Sequence, residues 1–592
     1  MLCGLLLALP APVLGQVVPL SRGAPPRVRG LIVYHYSGQT FLRWESAGTH
    51  VRRYIVYRSR RPLRTALALR QAEQRYDIAP GSAVNRRLSD VLRLPVFYRL
   101  PGPRGVLDAG RECFVATTTE SGRWYYAVTA VGPDGEFRQI RPGKNAVQSG
   151  VREQVAVPAA IFQGRHTYDG RGIDVFAHWT TNRDIPGYPA MGTLPSQAYN
   201  FAVQKNGKAD IHPLTVRLHG RGDHFLNHAN RNDNPQEYIL ALDDAIGATD
   251  TPSFWFGYDR GLDFSRRGRL PESAPGSGVV DYTLRRLRWS IEWAVRKLPI
   301  DSTRIILMGA SMGGSGAAFS ALHLGDRIAA VRALIPRLDY TAADTLETPH
   351  GRSALRLFRS LWGGVEQQPR TIDGDRVYDR LDYAARLASE DLRDTPPLRV
   401  ISGRADSVVG WRQMLDVYRA ADSTASGGMF FWDTRGHDSG SRHPWSPQQL
   451  PVELARYRSD RSWPAFSRVS ANADPLREDI GQMNAAVTWY EPVIDEPARW
   501  SVGITRTTLL MRDSVYTVTG PLSADITPRR LQRFRIVAGG DYEWTMSAGG
   551  STLATGTQRA ERDGELTLRA LVIPPRRARL EIRPVVGPLP NR

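Results

Sequence analysis

One short run constrains the fold of this chain more than any other feature. The apolar stretch Arg304-Ile-Ile-Leu-Met308 leads directly into Gly309-Ala310-Ser311-Met312-Gly313 and further small residues. The apolar stretch predicts a buried strand, and the small residues that follow can begin a helix. A serine on the sharp turn between them would have a strained backbone, and side chains at the two flanking positions would collide with neighbouring backbone. The run therefore predicts a strand, a tight turn and a helix that lift the Ser311 hydroxyl clear of a sheet.

The length and the charge of the chain limit the number of domains and the kinds of partner that the rest of the protein can have. At 592 residues the chain is too long for one core, and the usual domain size suggests about three or four domains. The formal net charge is +19, but arginines are scattered along the whole length without a basic block. A nucleic-acid footprint is clustered on one face. We therefore interpret the charge as the codon preference of a GC-rich genome and expect no nucleic-acid partner.

The first 20 residues resemble a signal peptide. They are apolar and uncharged at the start, with Gly15 at a plausible cleavage point, although a basic beginning is missing. The alternative is an apolar tail without a targeting role. We expect a secreted or periplasmic protein without a stable membrane anchor, because no later run reaches the roughly 18 apolar residues of a spanning helix. Cys3 would leave with the signal, so Cys113 would have no partner for an intrachain disulfide.

Residues 25–155 predict a β domain. Apolar and polar residues alternate at period two in the runs 41–45, 54–58 and 124–131, and Gly132-Pro-Asp-Gly135 supplies a turn. A strand with a tryptophan, a strand with paired tyrosines and a tyrosine-rich strand in this order resemble a fibronectin type III domain. A more helical segment, about 62–98, would be an insertion. We expect this domain to act as a spacer or packing partner.

The remaining chain divides into an α/β region and a second β region. Strands alternate with helices from about 156 to 460, which predicts a mostly parallel sheet covered by helices. Within it, the mostly helical stretch 341–390 lies where a cap over a site would be inserted. Short strands separated by glycine and aspartate turns over 461–592 predict a C-terminal β-sandwich. A sorting, sugar-binding or packing role is open for this accessory domain.

A serine hydroxyl needs a base, and histidines after Ser311 are few. A serine on such a turn is followed in the chain by its acid and then by its histidine. His323 falls in the helix after the turn, His350 in the cap, and His443 just before a proline. His437 follows the predicted strand 429–432, at the edge of the sheet where the base belongs. The order of the chain therefore favours His437.

The acid that orients the base is predicted at the end of the preceding strand. Asp406 follows the apolar run 398–401 and a glycine turn. Asp339, after the strand that ends at 335, is a competitor. Asp433 and Asp438 lie too near His437 in sequence to be preferred. Asp406 is the favoured acid.

An oxyanion that develops on the substrate needs two backbone N–H donors. The residue after the nucleophile, Met312, would supply one. The loop His219-Gly220-Arg221-Gly222-Asp223 directly follows the apolar run 214–218 and is similar to an H-G-G-G motif with one glycine replaced. Either Gly220 or Arg221 would supply the second donor.

These residues carry a resemblance to the α/β-hydrolase superfamily over about 156–460. The run from Asp301 to Gly316 is similar to the esterase D, feruloyl esterase and polyhydroxybutyrate depolymerase-like group, and also to the prolyl oligopeptidase-like (S9) catalytic domain. The resemblance implies that Ser311 is the nucleophile, Asp406 the acid and His437 the base. It implies an acyl-enzyme intermediate and neither a metal nor an organic cofactor.

Two questions of function stay open at this point. Prolyl oligopeptidases carry an N-terminal β-propeller, and no repeat of that kind is found here, so we favour an esterase whose substrates include polysaccharide-linked esters over a peptidase. A non-catalytic binding protein on the same scaffold is the alternative from another class. The oligomeric state is not predicted. Four aromatic residues are candidates for a substrate pocket or for the core: Trp255, Tyr258, Trp362 and Trp411.

Overall fold

The computed structural model describes residues 26–102, 105–230, 236–246, 251–264, 270–341, 349–389, 394–446 and 454–585. The predicted signal segment, with Cys3, lies outside the described residues. So do residues 342–348 and 390 of the predicted cap. Within the described ranges, no helix has the length and apolar character needed to cross a membrane.

The N-terminal region is built from two sheets packed face to face. One sheet has the order β1-β2-β5 and the other the order β4-β3-β6-β7, with β8 also paired to β6. Its elements are β1 Arg29–Tyr36, β2 Gln39–Glu45, β3 Arg53–Ser59, α1 Ala66–Arg70, β4 Gln74–Ile78, α2 Arg86–Leu92, β5 Arg111–Thr117, β6 Gly122–Gly132, β7 Gly135–Phe137 and β8 Val151–Glu153.

Buried aromatic side chains fill the space between these two sheets. Trp44, Tyr54, Phe114, Trp124 and Tyr126 belong to one apolar cluster. The segment 62–98, expected to be an insertion, contains β4, which pairs with β3, as well as α1 and α2. The likeness to a fibronectin type III domain stays a prediction. Leu88 of α2 shares one apolar cluster with the central sheet, and Ala83 and Tyr98 of the same segment share another with Ile161 and Trp179 of that sheet.

A ten-stranded sheet forms the centre of the molecule, in the order β21-β19-β18-β17-β16-β12-β13-β11-β10-β9. The elements between residues 161 and 433 are β9 Ile161–Tyr168, β10 Arg171–Trp179, β11 Ala198–Lys205, β12 His212–Leu218, α3 Phe225–Ala229, β13 Tyr238–Leu242, β14 Tyr258–Asp259, β15 Val279–Val280, α4 Tyr282–Lys297, β16 Ile300–Ala310, α5 Met312–His323, β17 Ala330–Leu334, α6 Pro349–Trp362, α7 Val377–Arg380, α8 Tyr383–Leu387, β18 Leu398–Gly403, α9 Gln413–Ser423 and β19 Met429–Asp433. A short 3₁₀ helix, Val365–Gln367, follows α6.

Most strands of the central sheet run parallel, which places the loops that carry the candidate site residues at one edge of the sheet. The strands from β19 to β13 run parallel, while β11, β10, β9 and β21 pair antiparallel. The carboxyl ends of parallel strands lie at one edge of a sheet, and ligands bind outside that edge. The loops after β12, β16, β18 and β19 therefore share one edge. Strands β9 and β13 were not among the predicted strands.

The two faces of the sheet are covered differently: one packs against helices of the main core, and the other is covered by α2 and α3 over β10, β11 and β13 and by the C-terminal strands over β16, β17 and β19. One face, with Ile305 and Leu307, packs in the main core together with α4, α5, α6 and α9. On the other face, Ala330 lies in the apolar cluster of the C-terminal strands, and Ile306 and Met429 pack against that cluster. A β-sandwich can replace helices here because the face needs only a dry apolar cover.

The C-terminal strands form a sandwich of two sheets and also extend the central sheet. The sandwich sheets have the orders β20-β26-β29 and β22-β23-β30-β27-β28, and β24 pairs with β25. The elements are β20 Trp463–Ser467, β21 Gly481–Met483, β22 Val487–Glu496, β23 Arg499–Arg506, β24 Leu509–Leu510, β25 Val515–Tyr516, β26 Ser523–Arg529, β27 Asp541–Ala548, β28 Ser551–Arg559, β29 Leu568–Val572 and β30 Ala578–Pro584, preceded by a 3₁₀ helix Leu454–Arg456.

The expected boundary at residue 461 does not separate two independent sheets. Strand β21 lies beyond that boundary, yet it pairs antiparallel with β19 of the central sheet through Met483 and Phe430. In addition, Arg529 of β26 donates hydrogen bonds to the carbonyl oxygens of Thr424 and Ala425 at the end of α9. The C-terminal sandwich is thus joined to the sheet that carries the candidate site.

Candidate active site

Ser311 lies on the turn between β16 and α5. Its backbone has φ 55° and ψ −124°, a strained conformation for a residue with a side chain. Its N–H donates to the carbonyl oxygen of Leu334 in the neighbouring strand at 2.9 Å. The helix begins at Met312, directly after the serine. The run therefore has the backbone geometry of a nucleophile elbow.

The glycines beside the serine allow close packing of this turn. A Cβ atom at Gly309 would lie 2.2 Å from the carbonyl carbon of Gly313, and one at Gly313 would lie 2.0 Å from the carbonyl oxygen of Leu218. Real Cβ atoms do not approach backbone so closely, so a side chain at either position would displace the helix. The expectation that glycine is needed at both positions is confirmed.

The structure brings Ser311, His437 and Asp406 together. Ser311 Oγ lies 2.7 Å from His437 Nε2, and His437 Nδ1 lies 2.8 Å from Asp406 Oδ2. The histidine side chain is 21% exposed and the aspartate side chain only 1%. An imidazole in this arrangement can take the serine proton through Nε2, while the buried carboxylate orients its Nδ1–H.

Asp406 is itself held in place by backbone. Its Oδ1 accepts hydrogen bonds from the N–H groups of Val408 and Val409 at 2.8 and 3.1 Å, which leaves Oδ2 for His437. The competitor Asp339 accepts from the N–H and hydroxyl of Thr341 instead. Among the described residues, the Asp339 carboxylate forms no hydrogen bond to a histidine, whereas Asp406 binds its own loop through Oδ1 and His437 through Oδ2.

The other carboxylates and histidines that the sequence offered do not interact with Ser311. Asp433 binds Arg435, and Asp438 lies 2.9 Å from His443 Nε2. His323 ends α5, where burial lowers its pKa to about 4. His350 is an exposed residue of α6. Among the described residues, none of these groups forms a hydrogen bond to Ser311.

The loop that carries His437 is shaped by a buried ion pair that the sequence prediction missed. Arg435 donates from Nε and Nη2 to the two carboxylate oxygens of Asp433, each at 2.7 Å, and both side chains are fully buried. Arg435 Nη2 also donates to the carbonyl oxygen of Trp445, and Nη1 to that of Asp438. The signal in the sequence was Asp-x-Arg directly after a buried strand.

The backbone amides predicted to bind an oxyanion belong to the start of α5 and to the loop after β12. Met312 is the first residue of α5, where N–H groups have no acceptor within the helix. Gly220 packs beside the turn, since a Cβ atom there would lie 3.9 Å from Ser311 Cβ. In the described part of the chain, neither Gly220 nor Arg221 donates its backbone N–H to any residue. The Arg221 side chain is exposed.

The side chain of Trp255 is buried against the loop 219–223 and forms a hydrogen bond with it. Its ring is 2% exposed, and its Nε1–H donates to the carbonyl oxygen of His219 at 3.1 Å. Tyr258 and Trp362 are 1% and 0% exposed within the main core. Trp411 is partly buried against Tyr418 and Trp432. The burial of Trp255, Tyr258 and Trp362 favours the core of the two alternatives, and Trp362 also borders a cavity of about 650 Å³.

The helical segment expected as a cap packs into the core. Phe358 and Trp362 of α6 stack on each other and contact Tyr340. Within the described residues, no hydrogen bond joins α6, α7 or α8 to the serine, histidine and aspartate of the site. Two cavities, of about 650 and 430 Å³, are lined by other residues than these three.

Over the described ranges, no group of three His, Cys, Asp or Glu side chains is arranged to hold a metal ion. The nearby histidines are instead paired with single carboxylates, as in His228 with Asp223 at 2.9 Å.

Comparison with known proteins gives distant likenesses. No family model matches the chain, and no curated protein matches it. Among solved structures, an S-formylglutathione hydrolase from Agrobacterium tumefaciens is 18% identical, with 47% of this chain and 92% of that chain covered at a TM-score of 0.34. A ferulic acid esterase is 15% identical, with 45% and 92% covered at 0.29.

A puromycin hydrolase is 18% identical, with 55% of this chain but only 42% of that chain covered, at a TM-score of 0.28. These neighbours are hydrolases, including esterases. At such TM-scores the likeness is partial, and the fold of this chain is described by its own strand order and by the turn at Ser311.

Proposed function

We propose that this protein is a serine hydrolase that cleaves ester bonds through Ser311, His437 and Asp406. The observation that carries the proposal is the chain of contacts from Ser311 Oγ to His437 Nε2 at 2.7 Å and from His437 Nδ1 to Asp406 at 2.8 Å. A serine on a strained elbow with a base and an orienting carboxylate is the arrangement of nucleophilic acyl transfer. A non-catalytic binding protein would have no use for it.

In the proposed reaction, His437 takes the proton of Ser311 as the hydroxyl oxygen attacks the ester carbonyl. The negative charge of the tetrahedral intermediate is stabilised by the N–H of Met312 and by that of Gly220 or Arg221. Collapse of the intermediate releases the alcohol, which receives its proton from His437. Water activated by the same histidine then hydrolyses the acyl-enzyme and restores Ser311.

We favour ester over peptide substrates because the N-terminal region forms two packed sheets, of order β1-β2-β5 and β4-β3-β6-β7, and not the repeated blades of a propeller. Without a propeller, access to the site is not restricted to short peptides. Esters linked to polysaccharide are included in the proposed substrate class. A peptidase is the competing outcome of the test below.

A fluorophosphonate probe tests the nucleophile. We expect covalent labelling of the wild-type protein and none of Ser311→Ala, with labelling of Ser315→Ala retained because Ser315 Oγ donates to the carbonyl of Ser311 and does not face the base. Absence of labelling in the wild type, or equal labelling of Ser311→Ala, would refute the proposal. Rates on p-nitrophenyl acetate and feruloyl esters are then compared with those on proline-containing peptides, and faster peptide cleavage would assign a peptidase.

We also propose that the protein is exported to the periplasm or the medium, on the basis of the apolar run at residues 1–16. Fractionation of the producing cells and N-terminal sequencing of the mature protein test this. We expect a mature chain that begins near residue 16. A cytoplasmic protein that keeps its first residues would contradict it.

A further inference from the structure

Helix α2 of the N-terminal region is fixed to the central sheet. Asn85, which caps the helix, exchanges two side-chain amide hydrogen bonds with Asn200 of β11, each at 2.8 Å. Leu88 is fully buried among residues of the sheet such as Val175 and Ile239. Because these contacts are both polar and apolar, the helix has one defined position on the sheet.

From this helix, Arg87 reaches the loop after β12. Its Nε donates to Asp243 Oδ2 at 2.7 Å and its Nη2 to Asp243 Oδ1 at 3.1 Å. The same Nη2 donates to the carbonyl oxygen of Asp223 at 3.0 Å. A guanidinium bound at both oxygens of a buried carboxylate has a fixed direction, which a single-point contact would not impose.

Asp243, held by Arg87, also contacts the His219 end of the same loop. Its Oδ1 lies 3.1 Å from His219 Nε2, and His219 Nδ1–H donates to the carbonyl oxygen of Gly220 at 2.8 Å. Burial would raise the pKa of Asp243, but the hydrogen bond from His219 and the charge of Arg87 outweigh burial and lower the pKa to about 2. The carboxylate is therefore ionised at neutral pH.

We propose that Arg87 is a positioning residue for the oxyanion loop 219–223, so that the N-terminal domain completes the catalytic apparatus of the hydrolase. The inference rests on the proposed function of Ser311. Arg87 holds the Asp223 end of the loop directly and the His219–Gly220 end through Asp243. The free amides of Gly220 and Arg221 lie between these two points. Gly222 in this loop has a φ of 80°, and glycine has more conformational freedom than other residues. The contacts of Arg87 at the two ends therefore hold the loop in one conformation.

The test replaces Arg87 and follows the reaction of p-nitrophenyl acetate. Because a displacement of about 1 Å at a reacting group can cost about 100-fold in rate, we expect Arg87→Met to lower kcat by about 10- to 100-fold with KM nearly unchanged. Arg87→Lys keeps the charge but contacts one oxygen at a time, so it should restore part of the loss. Equal loss in both variants, or a loss confined to KM, would overturn the proposal.

A matched control comes from the same domain. Arg53 is 47% exposed and lies 3.5 Å from Asp77 in a surface pair. Arg53→Met removes an arginine without touching α2, so kcat should stay at the wild-type value. Thermal unfolding of each variant shows whether it is folded. If Arg87→Met does not fold, Arg87→Lys decides: an unchanged kcat in that variant would overturn the proposal.

Hydrogen exchange separates this inference from the proposed function. Amide exchange in the peptide 217–226 should become faster in Arg87→Met and Arg87→Lys and stay at the wild-type rate in Arg53→Met. This readout needs no turnover. If wild-type protein is not labelled at Ser311, the proposed function fails, while faster exchange still shows that Arg87 orders the loop. Unchanged exchange together with unchanged kcat refutes the role of Arg87 alone.

Discussion

Gly313 of α5 packs directly on the carbonyl oxygen of Leu218, the last residue of β12, so closely that a Cβ atom would lie 2.0 Å from that oxygen. The helix that follows Ser311 is thereby held against the strand that leads into the oxyanion loop. One close approach of two backbones determines how far the nucleophile lies from the loop. The first prediction concerns this contact.

Gly313→Ala should destabilise the protein and lower activity. The added methyl group cannot be accommodated against backbone, so we expect a loss of about 3 kcal/mol in the free energy of unfolding. Gly220→Ala is the matched control for stability: its Cβ would lie 3.5 Å from the carbonyl oxygen of Ala310, an ordinary contact. There the change should be about 1 kcal/mol or less. Chemical denaturation measures both, and equal stability of the two variants would contradict the packing described.

Replacing the members of the proposed triad should separate Asp406 from its competitor. His437→Ala and Asp406→Asn should each lower kcat by about 10⁴-fold or more, since one loses the base and the other the orienting charge. Asp339→Asn should keep nearly wild-type kcat, because the Asp339 carboxylate accepts its hydrogen bonds from Thr341 in its own loop. Steady-state hydrolysis of p-nitrophenyl acetate measures all three. A greater loss in Asp339→Asn than in Asp406→Asn would move the acid to the earlier strand.

Arg435→Met should be severely destabilising. The substitution leaves the carboxylate of Asp433 buried without its cation, and breaking such a pair costs about 3–5 kcal/mol. Arg442→Met, in the same loop, removes a pair whose arginine is 75% exposed and should cost less than about 1 kcal/mol. Denaturant unfolding compares the two. A similar small loss in both would show that the buried pair does not hold the His437 loop.

Asp244 predicts an unusual dependence of stability on pH. Burial raises its pKa from 3.8 to about 6, despite hydrogen bonds from the N–H groups of Ser253 and Trp255. The ionised form is thus disfavoured in the fold, and this cost is fully present above pH 6 and absent below the unfolded pKa of 3.8. An asparagine can keep the N–H contacts through its oxygen.

Asp244→Asn should therefore be more stable than the wild type at pH 8, by about 3 kcal/mol. The advantage should decline as pH falls from 6 and vanish near pH 4. Thermal unfolding of both proteins across this range checks the prediction. An advantage that grows toward low pH would have the wrong sign and would mean that the carboxylate is stabilised by the fold.

Removal of the C-terminal sandwich should abolish soluble expression. A chain that ends at Asp460 would expose the sheet face of Ile306, Ala330 and Met429 and would leave β19 as an open edge. Insertion of a short glycine-serine segment at Gly564, an open turn with no atom near its Cβ position, should be tolerated. Size-exclusion chromatography compares them. A soluble monomer of residues 21–460 that melts cooperatively would show that the sandwich is dispensable.

Local features were predictable because their geometry depends on neighbouring residues. The need for glycine at 309 is local, because a Cβ atom there would clash with the backbone of Gly313, four residues further along the chain. The positions of Asp406 and His437 follow from parallel strands, whose carboxyl ends meet at one edge. By contrast, Arg87 and Asp243 are separated by 156 positions, and nothing in the spacing of either residue indicates the other.

The sequence left undecided whether Trp255 and Trp362 are buried in the core, for a similar reason. An aromatic side chain can fill a core or line a pocket with the same local pattern, and only the neighbouring elements decide between the two. Here Trp362 stacks on Phe358, and Trp255 packs beside Gly316, where a Cβ atom would lie 2.5 Å from the tryptophan. Both rings therefore lie in the core.

By itself, the sequence determined the turn at Ser311, the alternation of strands and helices around it, and the short set of residues that can act with Ser311, because strand, turn and helix preferences are local. Only the tertiary structure decided which face of the sheet the C-terminal sandwich covers, that β21 joins the central sheet, and that Arg87 and Arg435 hold the loops beside the serine. These contacts depend on how distant segments fold back on one sheet, and the free energy of that packing is not written in any single stretch of chain.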